Sequence, residues 1–131
     1  MRIDERRKRQ VEHDRANADQ GDFFFAFLAD ENGKPIPHPV FVLGKHNDSN
    51  DNTDVIICKC TKQEHGSRGA YDIPVKLRYD SFVRTNKIYT ISRNQLDFKI
   101  KTPYVDENQK RAIVDQAINA IFHKEMESTG P

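Results

Sequence analysis

The hydrophobic period of this sequence changes near residue 105, and that change limits the possible folds more than any other feature. Before it, short apolar runs alternate with turn-rich segments such as "ADENGKPIP" and "HNDSNDNTD", which is typical of strands joined by loops. After it, apolar residues recur at helical spacing, with Asp106 as the predicted N-cap and Gln109 in the capping-box position. The apolar positions of this helix are Ile113, Val114, Ala117, Ile118, Ile121 and Phe122.

Five or six strands are predicted before the helix, from six candidate segments. They span residues 22–28, 38–45, 54–61, 71–77, 81–92 and 96–101. Pro74 predicts an edge strand, because proline has no N–H to donate to a ladder. In the last strand, Leu96, Phe98 and Ile100 alternate with charged residues and are predicted to share one apolar face. Short antiparallel strands of this number avoid exposed edges by curling, so we predict a mainly β fold with helices: a small antiparallel β-barrel with a C-terminal amphipathic helix.

Residues 1–20 differ from the rest because they are nearly all polar and rich in helix formers. We interpret them as a charged N-terminal arm or helix that packs weakly and contributes little to stability. The chain is then divided into this arm, a barrel domain at 21–124 and a flexible tail at 125–131. Its 131 residues suit one domain with one core.

Composition and patterning exclude several classes of protein. The net charge of +1 gives no whole-molecule field, and no apolar run approaches the roughly 20 residues of a membrane span. The N-terminus lacks the apolar core of a secretory signal, so a cytoplasmic location is expected. Cys58 and Cys60 lie two apart on a strand, at or beyond the usual limit for a disulfide, and follow no metal-ligand pattern. They are interpreted as small strand hydrophobes, and no metal ion or other cofactor is predicted.

Positive charge is concentrated in the middle of the sequence. Between Ile57 and Val105 there are ten Lys or Arg residues and four Asp or Glu residues. Strands that carry this excess can present a face that attracts phosphates, although a solvated surface is the alternative interpretation of any single residue. The interleaved aromatic residues are either core residues or platforms on which bases stack: Tyr71, Tyr79, Phe82 and Tyr89.

Six segments in a fixed order resemble those of one protein family. They are "GDFFFAFL" at 21–28, "HPVFVLGK" at 38–45, "CKCTKQ" at 58–63, "YDIPVKL" at 71–77, "SFVRTNKIYTISRNQL" at 81–96 and the helix at 106–124. Together they resemble the MazF/PemK/Kid family, the endoribonuclease toxins of bacterial type II toxin–antitoxin pairs. The resemblance implies an SH3-like barrel, a homodimer, metal-free cleavage of single-stranded RNA by attack of the ribose 2′-hydroxyl, and inhibition by a cognate antitoxin.

The resemblance also implies roles for individual residues. Thr61 falls at the family's functional threonine, whose hydroxyl can donate to the phosphate. Arg84 matches the arginine that Kid-like members use as acid and charge clamp, and its forked, permanent charge suits a developing phosphorane. Lys62, Gln63 and Lys87 are assigned to RNA binding as supporting donors.

Two positions depart from the family pattern. Asn86 stands where Kid-like members have an aspartate base, and a neutral amide cannot accept a proton, so Asn86 is assigned to RNA binding. His38 stands where most members have an arginine at the strand entrance. With an unperturbed pKa near 6.5, His38 is a candidate acid–base group, and the alternative is that it only hydrogen-bonds the loop backbone. The remaining histidines are interpreted as solvated or structural: His13, His46, His65 and His123.

Two further alternatives stay open at the level of the sequence. The loop at 29–37 is implied by the resemblance to move over the RNA site, whereas its composition also suits an ordinary turn. The departures at His38 and Asn86 allow a second function from a different class, a catalytically impaired barrel that binds RNA or protein.

Overall fold

The computed structural model describes residues 2–45, 53–63, 68–102 and 104–128, with side chains as far as Phe122. His46, His65, the side chain of His123 and residues 129–131 of the predicted tail lie outside this description. The elements in chain order are α1 (Ile3–Ala16), β1 (Phe23–Ala29), β2 (Pro35–Gly44), β3 (Asp54–Lys62), β4 (Asp72–Lys76), β5 (Asp80–Ser92), β6 (Leu96–Ile100) and α2 (Glu107–Ser128), with a 3₁₀ turn at Arg93–Gln95 before β6.

The strands form one six-stranded antiparallel sheet in the order β4-β5-β3-β2-β1-β6. The predicted mainly β fold with two helices is confirmed, and β4 is an end strand as Pro74 indicated. In the part of the chain that the structure describes, β4 and β6 remain at the two ends of the sheet, so no ladder between them closes the barrel. None of the described helices is long and apolar enough to cross a membrane.

β2 begins at Pro35, three residues earlier than predicted, and this shortens the loop at 29–37 to residues 30–34. The N–H of Val42 donates to Asp22, so the even-numbered residues of β2 direct their N–H groups toward β1. The prolines of β2 all occupy odd positions, where no N–H is needed for the ladder with β1. They are Pro35, Pro37 and Pro39.

Both faces of the sheet carry apolar side chains, because alternate residues of a strand point to opposite faces. One cluster joins Phe23, Phe41 and Val83 to Ile113 and Ala117 of α2, which packs on β5. The second cluster lies on the other face and includes Ala18, Phe24, Ala26, Val40, Val42, Val55, Ile57, Ile91 and Leu96.

The start of α2 is fixed by the capping box predicted from the sequence. The N–H of Gln109 donates to Oδ1 of Asp106 at 2.8 Å, and the N–H of Asp106 donates to Oε1 of Gln109 at 2.9 Å. The helix continues to Ser128, beyond the predicted domain boundary at 124. Half of its predicted apolar stripe is exposed to solvent: Ile118, Ile121 and Phe122.

The single apolar face predicted for β6 is wrong. Leu96 and Ile100 are both buried, but they belong to the two different apolar clusters, on opposite faces of the sheet. Phe98 is 51% exposed and lines a crevice between β6 and α1 with Val11. The register between β1 and β6 shifts between Phe24 and Ala26, so β6 does not keep one uninterrupted face.

The N-terminal segment is a helix with no buried side chain, yet the C-terminal end of α1 is held to the sheet. Nη1 of Arg93 donates to the carbonyls of Arg15 and Ala18, both at 3.0 Å. Nε of Arg15 donates in turn to the carbonyl of Leu96 at 2.9 Å. A guanidinium at a helix C-terminus binds carbonyls that lack helical partners, so this end is better anchored than the polar sequence indicates.

Candidate active site

A cleft opens where β2, β3 and β5 lie side by side, and it is called here the central cleft. It has a volume of about 370 Å³ and is lined by His38, Lys59, Cys60, Thr61, Arg84, Lys87 and Tyr89. Four residues that the sequence assigned to the site are therefore neighbours in space although they come from three strands. The lining of the central cleft contains three cations and no carboxylate.

The register of β3 and β5 explains why these side chains meet. Lys59 is opposite Arg84, and residues directly opposite in an antiparallel pair point to the same face. The pairing jumps from Cys58 opposite Ile88 to Lys59 opposite Arg84, so residues 85–87 of β5 form a bulge.

Buried Thr85 fixes this bulge. Its hydroxyl donates to the carbonyl of Tyr71 at 2.5 Å. Asn86 and Lys87 are exposed on the bulge, and Lys87 lines the central cleft whereas Asn86 does not.

Arg84 is oriented by a buried carboxylate from the neighbouring strand. Nη1 of Arg84 lies 3.7 Å from Oδ2 of Asp72, whose side chain is 2% exposed. The same oxygen accepts a hydrogen bond of 2.7 Å from the N–H of Gly69. A Cβ added at Gly69 would approach this oxygen to 3.2 Å, so the close approach of the loop depends on glycine. Asp72 therefore restrains one side of the guanidinium while 31% of the Arg84 side chain stays exposed.

His38 lies opposite Ala26 in the ladder between β1 and β2. Its Nε2 atom is shielded from solvent and has no hydrogen-bond partner among the described residues. A buried, unpaired ring nitrogen costs about 1–3 kcal/mol, which is unusual for a group with only a structural role. Burial lowers the pKa of His38 below 6.5, the charge of Lys59 lowers it further, and Asp30 opposes both effects. These effects favour the neutral imidazole, the form that can accept a proton.

A second cavity adjoins the central cleft and is called here the loop cleft. It has a volume of about 590 Å³ and is lined by Ala29, Asp30, Glu31, Asn32, His38 and Lys59. His38 and Lys59 line both cavities, so the two cavities adjoin at these side chains and together are called here the groove.

The loop beside this groove is a tight turn. Oδ1 of Asp30 accepts from the N–H groups of Asn32 and Lys34 at 2.9 and 2.8 Å, and Gly33 has a φ of +79°. Residues 30–34 therefore have the hydrogen bonds of an ordinary turn, one of the two interpretations that the sequence allowed.

Lys62 and Gln63 follow Thr61 but line a different depression, together with Tyr79 and Asp80. Nζ of Lys62 stands 4.1 Å from the centre of the Tyr79 ring, and Nε2 of Gln63 donates to the carbonyl of Ser81 at 3.2 Å. Lys62 and Gln63 are thus next to Thr61 in the sequence, but neither lines the central cleft.

Sequence reasoning did not place Lys59 or Asp72 in the site. Lys59 was one of ten basic residues in its region, and Asp72 carried no motif. Only the pairing of β3, β5 and β4, which sets both residues opposite or beside Arg84, identifies them.

The cysteines behave as the sequence indicated. Both are buried free thiols in the apolar cluster beneath α2, and burial raises the pKa of Cys58 to about 12. Burial also raises the pKa of Cys60, although this residue contacts the central cleft. Within the described ranges no group of three His, Cys, Asp or Glu side chains is arranged to hold a metal ion.

Residues 19–122 match the family of PemK-like, MazF-like toxins of type II toxin–antitoxin systems. No curated protein matches the sequence.

Several solved structures share the fold. The Mycobacterium tuberculosis toxin MazF-mt6 is similar with a TM-score of 0.58 and 24% identity, over 76% of this chain and 95% of that chain. An endoribonuclease in complex with its cognate antitoxin from a mycobacterial species has a TM-score of 0.57 and 14% identity, over 78% of this chain and 95% of that one. A further mycobacterial endoribonuclease has a TM-score of 0.58 and 13% identity, over 79% and 90% of the two chains. At these identities the likeness concerns the fold alone.

Proposed function

The chain belongs to the PemK-like, MazF-like toxins of type II toxin–antitoxin systems, and from this premise we propose that it is an endoribonuclease. It cleaves single-stranded RNA, mRNA in the cell, by attack of a ribose 2′-hydroxyl on the neighbouring phosphate and without a metal ion. The observation that carries this proposal is the central cleft, which gathers His38, Thr61 and Arg84 from three strands. A candidate base, a hydroxyl donor and a permanent cation in one basic cleft are the groups that this reaction requires.

His38 is the base of the proposed reaction. The 2′-oxygen forms a bond to phosphorus, its proton passes to the neutral imidazole, and the bond from phosphorus to the 5′-oxygen breaks. The leaving 5′-oxygen takes a proton from solvent, and the other product carries a 2′,3′-cyclic phosphate. The lowered pKa of His38 supports this role because it keeps the imidazole neutral near pH 7.

Arg84 and Thr61 stabilise the phosphorane. Arg84 presents a forked donor with a permanent charge, and Asp72 holds it from the side away from the cleft. The Thr61 hydroxyl donates to a phosphate oxygen from β3. Removing one preorganised donor of this kind lowers a rate by about 10²–10³-fold.

The flanking RNA is bound by residues at the edge of the central cleft and beside it. Lys87 and Asn86 on the bulge of β5 contact one side of the strand, and Lys62 with Gln63 contact the other. Tyr89, which is 45% exposed in the lining of the central cleft, offers a ring for base stacking.

Two protein partners complete the proposal. A cognate antitoxin inhibits the enzyme, as the mycobacterial complex of the same fold suggests. A second copy of the chain forms a homodimer through the exposed apolar side chains of α2, which a single chain leaves uncovered: Ile118, Ile121 and Phe122.

The test is to incubate purified protein with a long mixed-sequence RNA in the presence of EDTA. We expect discrete fragments with 2′,3′-cyclic phosphate ends, and we expect Thr61→Ala and Arg84→Ala to lose them while remaining folded. Lys101→Ala, a charge change at an exposed residue outside the cleft, is the matched control and should cleave normally. Intact RNA from the folded wild-type protein would contradict the proposal, and RNA binding without cleavage would support the impaired binding module instead.

A further inference from the structure

Two cations in the lining of the central cleft come from directly opposite positions of neighbouring strands. Lys59 on β3 and Arg84 on β5 are Cα partners, and both side chains line this cleft. Like charges directly opposite each other destabilise an antiparallel pair of strands. A sheet that keeps such a pair without a carboxylate in the same cleft is arranged to bind an anion between the two.

The carboxylates around Lys59 leave it without an ionic partner among the described residues. Asp30 and Glu31 line the loop cleft with Lys59 but form no ion pair with it. Asp72 is the Cα partner of Arg84 on the other side, from β4, and it is buried beside the guanidinium and the N–H of Gly69. The row across the strands is therefore Lys59, Arg84, Asp72, with the carboxylate at the end away from the groove. None of the ion pairs found among the described residues involves Lys59.

Lys59 also occupies the junction of the groove. The central cleft and the loop cleft have only His38 and Lys59 in common among the described residues. An RNA strand that follows the groove passes this junction, and the phosphate at the junction has Lys59 beside His38 and opposite Arg84.

We propose that Lys59 is a catalytic residue whose ammonium binds the scissile phosphate from β3, between His38 and Arg84. The inference rests on the proposed function, because it assigns a role in the same reaction. Lys59 acts as a point charge on a non-bridging phosphate oxygen, while Arg84 supplies the forked donor. As the phosphorane gains negative charge, both cations stabilise it more strongly than they stabilise the ground state, which is the condition for an effect on rate.

Lys59 acts on His38 as well. The charged groups around His38 are Lys59 from β3, and Asp30 and Glu31 from the turn after β1. The central cleft adds three groups from β5: Arg84, Lys87 and Tyr89. Removing the Lys59 charge removes one of the two causes that lower the pKa of His38, while burial remains. The acidic limb of the pH–rate profile should therefore move to higher pH.

The first measurement compares wild type, Lys59→Met, Lys59→Arg and Lys101→Met on the same RNA. Methionine keeps the unbranched, half-buried stem of Lys59 and removes only its charge, and thermal midpoints verify that each variant folds. We expect Lys59→Met to lower kcat by about 10²-fold or more and to move the acidic limb upward. Lys59→Arg should retain most of the rate, and Lys101→Met should match wild type. A folded Lys59→Met with the wild-type rate and pH profile would overturn the inference.

The second measurement tests the phosphate contact without cleavage. Binding of a 2′-deoxy or 2′-O-methyl copy of the RNA, which lacks the nucleophile, is measured against salt concentration. Loss of one phosphate contact reduces the slope of log affinity against log salt by about 0.7 for a single strand, so Lys59→Met should show that reduction and Lys101→Met should not. Unchanged slopes overturn the phosphate contact. Because this assay needs no activity, it also distinguishes failure of the Lys59 assignment from failure of the proposed ribonuclease function.

Discussion

At the scale of single residues, the candidate site depends on groups whose surroundings set their chemistry. Arg84 is permanently charged in any surroundings, but its direction is set by buried Asp72 at 3.7 Å. His38 is ionisable, and burial together with the smaller effect of the Lys59 charge lowers its pKa and favours the neutral form. The proposed role of each group therefore depends on its surroundings in the sheet.

Asp72→Asn tests the restraint on Arg84. The amide keeps the size of the side chain and removes its charge, so the guanidinium loses its ionic partner and the free energy of unfolding should fall by about 1–3 kcal/mol. We expect kcat to fall and the KM for RNA to change little, because a misdirected cation still attracts RNA. Asp80→Asn is the stability control, since its ion pair with Lys76 is exposed and worth little. Equal thermal midpoints for Asp72→Asn and wild type would refute the restraint.

The lowered pKa of His38 predicts two pH effects. The rate should rise with pH through a midpoint below 6.5 as the imidazole loses its proton. His38→Gln should remove most of the activity, and this acidic limb should be absent from what remains. Below pH 6.5 the unfolded chain binds a proton at His38 more readily than the folded chain, so the free energy of unfolding should decrease as pH falls from 6.5. Urea unfolding at several pH values checks this, with His38→Gln as reference. A rate midpoint at or above 6.5 would contradict the assignment.

At the scale of elements, α1 lies outside the part of the chain that matches the family, residues 19–122. Its polar sequence predicted weak packing, and the structure agrees in that no side chain of this helix is buried. The anchoring is through backbone carbonyls at its C-terminal end, which receive hydrogen bonds from Arg93. Ala18 then follows as a buried residue of the apolar cluster with Phe24 and Leu96.

Two deletions distinguish the contribution of the helix to stability from that of its anchored C-terminal end. Removing residues 2–12 should lower the thermal midpoint by no more than about 2 °C, because this part contributes no buried side chain. Removing residues 2–18 also deletes carbonyl acceptors of Arg93 and buried Ala18, so we expect a further fall of about 5–10 °C. Differential scanning calorimetry measures both, and equal midpoints for the two deletions would show that the anchor contributes nothing.

At the scale of the whole molecule, one chain leaves apolar surface uncovered. Ile118, Ile121 and Phe122 follow helical spacing at i, i+3 and i+4 and are 47%, 55% and 50% exposed. Adjacent positions Ile113 and Ala117 on the same helix are buried against the sheet, so α2 has two apolar sides. The proposed homodimer would cover this second side, which one sheet leaves exposed.

Ile121→Lys tests this interface. We expect wild-type protein to have about twice the chain mass of 15.2 kDa in light scattering, and the lysine variant to be monomeric because a charge at an apolar contact loses its hydration. Ala112→Lys places the same charge on an exposed position of α2 about two and a half turns before Ile121 and should remain dimeric. A dimeric Ile121→Lys protein would assign the interface to another surface.

The sequence by itself determined the local features of this protein. Alternation and turn residues predicted the strands, helical spacing predicted α2, and Asp106 with Gln109 predicted its start, because each pattern depends on residues within a few positions of one another. The ordered segments also indicated the family, and four of the predicted site residues line one cleft.

Only the tertiary structure decided what depends on strand register and on contacts between distant segments. The opposition of Lys59 and Arg84 and the burial of Asp72 beside the guanidinium follow from pairings across three strands, which composition and spacing do not specify. The exposure of Phe98 also depends on register, because the pairing of β1 with β6 shifts between Phe24 and Ala26. Side-chain period fixes which residues can share a face, whereas register fixes which of them meet, and the proposed chemistry of this site depends on the second.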